Sequence, residues 1–133
     1  MNKTSPFILV LSLMMFSSPS LSDWTQVGKN SLGSTFYVDF ERIKEHGKYV
    51  YFWNLVDWVE PNVRGNLSNK NYYKGDCDLF RTDWLSMSYH KGSMGEGPEE
   101  HVGLPPRESR GWVYPLPDSS LENLLEVVCN HVN

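Results

Sequence analysis

The stretch that decides the fold is Tyr49-Val-Tyr-Phe-Trp-Asn-Leu-Val-Asp-Trp-Val59. Its aromatic and β-branched residues predict a β-strand. Successive side chains of a strand point to opposite faces, and here both alternating sets are largely apolar. The sequence therefore predicts a long central strand that is covered on both sides. A helix of the same chain can cover one side, and a long loop, a partner or a second copy can cover the other.

Shorter segments with strand-like alternation surround this one. The predicted strands are 24–27, 34–40, roughly 76–81 and 83–90 with a tight bend or bulge between them, and 112–114. The polar segment 41–48 is predicted to be a turn, and the Asn-rich segment 61–74 an exposed loop. The segment 91–110 contains four Gly and three Pro without an apolar period, which predicts a long mobile loop.

The C-terminus carries the clearest helix pattern. Ser119 followed by Glu122 matches a capping box, in which the two side chains satisfy backbone N–H groups that the helix leaves unpaired. The apolar positions that follow form one helical stripe. Its members are Leu121, Leu124, Leu125, Val128 and Cys129. The predicted fold is therefore α+β, an antiparallel sheet of about five to six strands with one C-terminal helix packed on it.

The first residues predict export from the cytoplasm. Lys3 precedes an apolar run over 7–16, and small residues follow up to Ser22, which is the order of a signal peptide. The run is half the length that a membrane span needs, so we expect residues 1–22 to be cleaved and 23–133 to form a single domain with no span. No Cys lies near the expected cut, so an anchor through an N-terminal lipidated Cys is not expected.

The two cysteines, Cys77 and Cys129, are expected to form a structural disulfide, since an even count in an exported chain is typical of one. A catalytic thiol or a metal-binding pair are the alternatives. Neither Cys has a second Cys or a His at ligand spacing nearby, so we predict no metal site. A bridge would clamp the apolar stripe of the helix onto the sheet.

Composition and motifs argue against two classes of function. The chain has a formal net charge of −4, and −5 without Lys3, whereas nucleic-acid binding favours a basic field. No nucleophile elbow, phosphate loop or zinc-protease motif occurs, so we expect a protein that is not an enzyme. The four histidines are scattered along the chain. Arg81 is expected to pair with one of Asp76, Asp78 and Asp83 in a structural salt bridge.

Taken together, the residues resemble the surface-adhesin protein E family of Gram-negative bacteria. The likeness covers nearly the whole chain after residue 22. It rests on Trp24, Thr35-Phe-Tyr-Val-Asp39, Val50, Trp53, Leu55, Asp57, Ser68, Lys70, Asp76-Cys77, Arg81, Trp112, Pro117-Asp-Ser119 and Val128-Cys129. The resemblance implies an antiparallel sheet with a C-terminal helix stapled to it by the disulfide.

The resemblance also implies a function. The best-known member of the family is an outer-membrane lipoprotein that binds host matrix and serum proteins, helps to capture haem and is a dimer. For this chain it implies an adhesin-like binding protein with host extracellular proteins as partners, and a homodimer. Haem is implied by the resemblance alone, and otherwise no cofactor is expected. Because the lipid-bearing Cys is missing, a periplasmic envelope or stress protein is the alternative, and a small haem carrier is a third.

The candidate partner-binding residues come from one loop and one strand. The segment 61–75 is locally basic and rich in Tyr, and Tyr and Arg are enriched at protein interfaces. The exposed face of the 49–59 strand is the second contribution. The candidates are Arg64, Lys70, Tyr72, Tyr73, Lys74, Tyr51 and Trp53. A solvated loop with no partner is the alternative for the 61–75 part.

Overall fold

The computed structural model describes residues 23–133, so the expected signal peptide over 1–22 lies outside the described residues. These residues form one antiparallel sheet and one helix. The strands are β1 (Thr25–Lys29), β2 (Thr35–Val38), β3 (Lys44–His46), β4 (Tyr49–Asp57), β5 (Ser68–Asp76), β6 (Arg81–His90), β7 (Glu99–Gly103) and β8 (Trp112–Val113). The helix α1 spans Ser120–Val132. Short 3₁₀ turns lie at Phe40–Arg42, Ser93–Gly95 and Arg107–Ser109. The predicted α+β fold is confirmed, with eight strands in place of five to six.

The long strand β4 is central, as predicted. The sheet runs in the order β1-β2-β4-β5-β6-β7, while β3 pairs with β4 and β8 pairs with β6. Every pairing is antiparallel. The register places Phe52 opposite Tyr73 and Trp53 opposite Tyr72, and this register decides which side chains share a face.

The hydrophobic core lies between one face of the sheet and α1. Its buried members are Val38, Val50, Phe52, Leu124, Leu125, Val128 and Cys129. The helix begins as the capping box predicts, because Ser119 Oγ accepts the backbone N–H of Glu122 at 3.1 Å. The Glu122 carboxylate accepts the N–H of Asp118, also at 3.1 Å. Of the predicted apolar stripe, Leu124, Leu125, Val128 and Cys129 are buried, and Leu121 is half-buried.

The predicted disulfide joins Cys77 to Cys129, with their Cα atoms 5.7 Å apart. Cys77 lies in the turn between β5 and β6, and Cys129 lies on the apolar stripe of α1. The bridge therefore fixes the helix to the sheet by a covalent link at the edge of the core. The link closes a loop with a sequence separation of 52 residues.

Two predictions about the strands β5 and β6 were wrong. The segment 61–74 is not a loop throughout, because β5 begins at Ser68 and lies in the middle of the sheet. Its polar side chains are typical of a loop, but Asn69 and Asn71 are buried and hydrogen-bonded to each other. The segments 76–81 and 83–90 are not two strands: β6 is one strand that begins at Arg81, and a bulge near Leu85 interrupts its pairing with β5.

The segments predicted to be irregular contain two more strands. Within the predicted turn 41–48, β3 pairs with the first residues of β4. Within the predicted loop 91–110, β7 pairs with β6 through three residue pairs. Both strands are short and mostly exposed, so neither carries the apolar alternation that identifies a buried strand.

Candidate partner-binding face

The sheet has a face that α1 does not cover, and most of the candidate residues lie there. Along β4, Val50 and Phe52 point into the core with the helix, so Tyr51 and Trp53 between them point away from it. The register sets Tyr51 opposite Lys74 and Trp53 opposite Tyr72. We call this exposed surface the helix-free face. It comprises Tyr49, Tyr51, Trp53, Lys70, Tyr72, Lys74, Arg81 and Trp112, with Arg42 and the β3 residues at its border.

Three aromatic side chains make a continuous patch in the middle of this face. The ring centroids of Trp53 and Tyr72 are 4.7 Å apart, and those of Tyr51 and Tyr72 are 6.1 Å apart. Burial raises the pKa of Tyr72, and the neighbouring Tyr51 adds to the rise. The three residues are half-buried, so a partner could still remove a substantial part of their surface from water.

One cation, Arg42, borders the patch on one side. The Arg42 guanidinium lies over two rings, 5.3 Å from the centroid of Trp53 and 5.7 Å from that of Trp24. Arg42 is also held by Asp39, whose Oδ2 accepts from Nε at 2.6 Å. The cation–π contacts and the ion pair fix the guanidinium beside the aromatic patch.

A second group of cations and rings lies where β4 begins. The rings of Tyr49 and Trp112 are 5.3 Å apart, and the Lys74 ammonium lies 4.2 Å from the first and 5.3 Å from the second. Lys48 lies 5.3 Å from the Tyr49 ring, and Arg81 lies 4.1 Å from the Trp112 ring. We call these five residues the cation-capped cluster. A ring face occupies only part of the surface of a cation, so the two lysines can still donate hydrogen bonds to solvent or to a ligand.

Arg81 also forms the salt bridge that the sequence predicted, and its partner is Asp76. The Nε–Oδ2 distance is 3.0 Å, and Asp76 is buried. Burial alone would raise the pKa of Asp76, but the N–H groups of Leu79 and Asp78 and the Arg81 guanidinium outweigh it and hold the pKa below its ordinary value. This arrangement is a structural tie across the turn after β5, and it keeps the carboxylate ionised.

The other end of the helix-free face is closed by the segment 91–97. The N–H of Met94 donates to Asp57 Oδ1 at 2.8 Å, and the N–H of Gly95 donates to Ser68 Oγ at 2.9 Å. Gly95 has a φ of 72°, which favours Gly, and a Cβ there would lie 2.5 Å from Cε of Lys70, so any other residue would be strained and would displace that side chain. A loop thus supplies the second cover predicted for β4, but only over the end near Asp57.

Two candidate residues do not join the others. Tyr73 points into the core, where its ring lies 5.5 Å from that of Phe52 and 6.2 Å from that of Trp84. Burial raises the pKa of Tyr73 well above its ordinary value. Arg64 lies in the loop after β4, at the opposite end of the strands from Lys74, where its carbonyl accepts a hydrogen bond from Lys91 Nζ.

The sequence did not single out four residues that the structure adds to this face: Arg42, Lys48, Tyr49 and Trp112. Tyr49 has the same parity along β4 as Tyr51 and Trp53, so the alternation alone could have identified it. Arg42 lies in a turn, and Trp112 lies on β8, which is distant from β4 in sequence. No local pattern could have placed either of them.

Neither a metal site nor a membrane-spanning helix is found within residues 23–133. No group of three or more His, Cys, Asp and Glu side chains within that range could hold a metal ion. No helix in the same range is long and apolar enough to cross a membrane. His90 is buried with Nε2 3.0 Å from Ser88 Oγ, whereas His46 and His101 lie exposed on different strands.

A separate apolar groove lies on the other side of the sheet, beyond the reach of the helix. Its volume is about 610 Å³. The apolar side chains that line it are Leu32, Phe36, Val56, Trp58 and Val59, and the polar ones are Asn30, Ser34, Glu60 and Asn62. None of the seven candidate partner-binding residues lines this groove.

Comparisons with known proteins agree with this architecture. The sequence model of the family described as surface-adhesin protein E matches residues 24–130. No curated protein matches the chain. Crystal form II of Haemophilus influenzae protein E superposes with a TM-score of 0.63 at 19% identity, over 86% of this chain and 94% of that one. The protein E structure from non-typeable Haemophilus influenzae gives a TM-score of 0.58 at 19% identity, over 85% and 79% of the two chains.

Proposed function

Because this chain belongs to the surface-adhesin protein E family, we propose that it is an exported, non-enzymatic adhesin whose ligand is the surface of another protein. The observation that carries the proposal is the aromatic patch on the helix-free face. Tyr51, Trp53 and Tyr72 lie together there with Lys74 beside them, although they come from two strands.

The composition of this face favours a protein ligand. Tyr, Trp and Arg are the residues most often found at the energetic centres of protein interfaces. A half-buried ring is already ordered by its neighbours, so a partner can bury it at a small cost in side-chain entropy. Trp53 is held in this way by the Tyr72 ring and by the Arg42 guanidinium.

The ligands to test are extracellular matrix and serum proteins of a host. We propose measuring their binding to the immobilised protein by surface plasmon resonance. At least one should bind, and Trp53→Ala combined with Tyr72→Ala should weaken that binding at least tenfold. Glu126→Gln is the matched control, because Glu126 is exposed on α1, on the other side of the sheet. Binding by none of these proteins, or an equal loss in the control, would overturn the proposal.

Surface display is the second part of the proposal. An antibody raised against the purified protein should label intact cells that express it. Labelling only after the cells are permeabilised would place the protein in the periplasm. That outcome would favour the alternative function, an envelope or stress protein with no host ligand.

The homodimer stays a prediction. It is predicted from the apolar character of both faces of β4. The segment 91–97 already covers one end of β4 on the helix-free face. Pairing two helix-free faces would also bring lysines of like charge together, which costs free energy. Light scattering at high protein concentration tests the prediction, and a monomeric mass would remove it.

The haem carrier is the remaining alternative, and it has a direct test. Protein purified from haem-fed cells should show no Soret band if the adhesin proposal is complete. A stoichiometric Soret band would add haem to its ligands.

A further inference from the structure

The short strand β3 presents a free edge beside the cation-capped cluster. Over residues 23–133 it pairs with β4 alone, and all three of its residues are exposed. The edge strand β1 is different, because Asn123 on α1 donates a 2.7 Å hydrogen bond to the carbonyl of Val27. Unpaired N–H and C=O groups along a free edge can accept another extended chain.

One lysine lies on this edge strand, and two more lie near it. Lys44 and Lys74 lie opposite Tyr51 on its two neighbouring strands, and Lys48 lies in the turn that joins β3 to β4. Among the side chains of residues 23–133, no carboxylate forms a salt bridge with any of the three. Glu45 is on β3 as well, but its register partner is Val50, so its side chain points to the other face of the sheet.

The aromatic rings position two of these ammonium groups without neutralising them. Lys74 and Lys48 both lie over the Tyr49 ring, at 4.2 and 5.3 Å. Asp83 is opposite Lys74 in the register, yet the Lys74 ammonium lies over Tyr49 and makes no ion pair with it. The site therefore offers positive charge to a ligand, in a chain whose net charge is negative.

The chemistry of this site selects among possible ligands. A basic segment or a second β3 edge would meet like charges, which is unfavourable. Stacking of a nucleic-acid base is hindered, because cations already occupy faces of the Tyr49 and Trp112 rings. An acidic polypeptide can satisfy both parts of the site, since its backbone pairs with the edge and its carboxylates reach the lysines.

We propose that an extended, acidic polypeptide segment of a partner docks along the free edge of β3 and places its carboxylates at Lys44 and Lys48, while Lys74 adds positive charge from across β4. The inference rests on the proposed function and gives the chemical class of the ligand that this face binds. Side chains two residues apart in an extended segment are about 6.6 Å apart and point the same way, so alternating Asp or Glu residues suit the site.

The test uses a fluorescent peptide of about ten residues in which Glu and Val alternate, a length that exceeds that of a short strand. Fluorescence anisotropy should show binding that weakens as salt is added, because exposed charges are screened. Lys44→Gln with Lys48→Gln should weaken binding at least tenfold. Lys29→Gln, on the exposed part of β1, should leave it unchanged. Circular dichroism checks that each variant is folded.

Two further probes separate edge pairing from attraction between charges alone. The same peptide with alternate amides N-methylated keeps its charge but cannot pair along a strand edge, so its binding should fall by at least tenfold. Equal binding of both peptides would overturn edge docking. Binding of heparin or of anionic vesicles with no binding of the acidic peptide would overturn the polypeptide class.

The two sets of binding experiments separate failure of acidic-strand docking from failure of the proposed adhesin function. If host proteins bind through Trp53 and Tyr72 but the two lysine substitutions change nothing, the further inference alone fails. If the acidic peptide binds and no host protein does, the host-adhesin function fails and the acidic-strand site stands.

Discussion

Asn71 donates a hydrogen bond from Nδ2 to Oδ1 of Asn54, 3.0 Å away, and both side chains are buried in the middle of the sheet. The bond belongs to a chain of amides. Asn69 donates to Asn71 at 2.9 Å, and Asn54 donates to the carbonyl of Tyr37 at 3.0 Å. A row of polar groups thus ties β2, β4 and β5 together without leaving these amides unpaired.

This chain of amides makes Asn71 a residue on which stability should depend. Asn71→Ala would leave Oδ1 of Asn54 and Nδ2 of Asn69 without partners, so we expect the free energy of unfolding to fall by about 2–4 kcal/mol. Urea denaturation measures the change. Asn130→Ala, on the exposed side of α1, should change it by about 0.5 kcal/mol or less. A cost below about 1 kcal/mol for Asn71→Ala would mean that these hydrogen bonds contribute little net stability.

Gly75 lies on β5 against the side chain of Leu125 on α1. A Cβ at this position would lie 3.0 Å from both Leu125 Cδ1 and Val50 Cγ1. We expect Gly75→Ala to destabilise the protein by about 1–3 kcal/mol, because the core must shift to admit the methyl group. Gly103→Ala is the control, since nothing lies within 4 Å of a Cβ there. Thermal melting should separate the two variants, and equal melting temperatures would contradict the tight packing.

The disulfide should account for a large part of the stability. Closing a loop of this length is worth about 4 kcal/mol in the chain-entropy treatment, and measured values are typically 2–4 kcal/mol. We expect Cys77→Ser with Cys129→Ser to lower the free energy of unfolding by that amount in urea. A thiol assay on the native protein should detect no free thiol. Two reactive thiols, or a double variant as stable as the parent, would contradict this account.

His90 should make the protein less stable in mild acid. Burial lowers its pKa below the ordinary value and Lys70 lowers it further, while the nearby Gly97 backbone and the charge of Glu99 oppose the change only in part. The unfolded chain therefore takes up a proton near pH 6.5 while the folded one does not. This contribution to stability is present above about pH 6.5 and is lost as the pH falls toward the folded pKa.

Urea denaturation at pH 7.5 and 5.5 would measure this loss. A single histidine can contribute at most about 1.4 kcal/mol for each unit of pKa difference. His90→Gln should reduce the dependence on pH, whereas His101→Gln should not, because His101 is exposed. An unchanged dependence in His90→Gln would assign the effect to other groups.

The parts of the fold that were predictable from sequence are those whose burial is visible in apolar periodicity. β4 and α1 have such patterns, and the capping residues Ser119 and Glu122 mark where the helix begins. β5 was missed because Asn69 and Asn71 look like loop residues. Their burial depends on Asn54, which is distant in sequence. Asn54 supplies a hydrogen-bond partner that offsets the cost of removing these amides from water.

The candidate face was predictable only where it depends on local alternation. Tyr51 and Trp53 were identified from β4 alone, and Tyr72 and Lys74 from the basic, Tyr-rich segment that contains them. Tyr73 points into the core instead, and a segment predicted to be a loop offers no alternation that would separate it from Tyr72. Arg42 and Trp112 could not be identified, because their positions depend on how distant segments pack beside β4.

The alternation of β4 and β5 has a consequence for how such a sequence can change over generations. Val50 and Phe52 must keep fitting beneath the helix, whereas Tyr51 and Trp53 between them face outward. If the outward residues bind a partner as proposed, substitutions there would alter what is recognised while the fold persists. Packing would then constrain one set of alternate residues and binding the other, so a lineage could exchange partners and keep its fold.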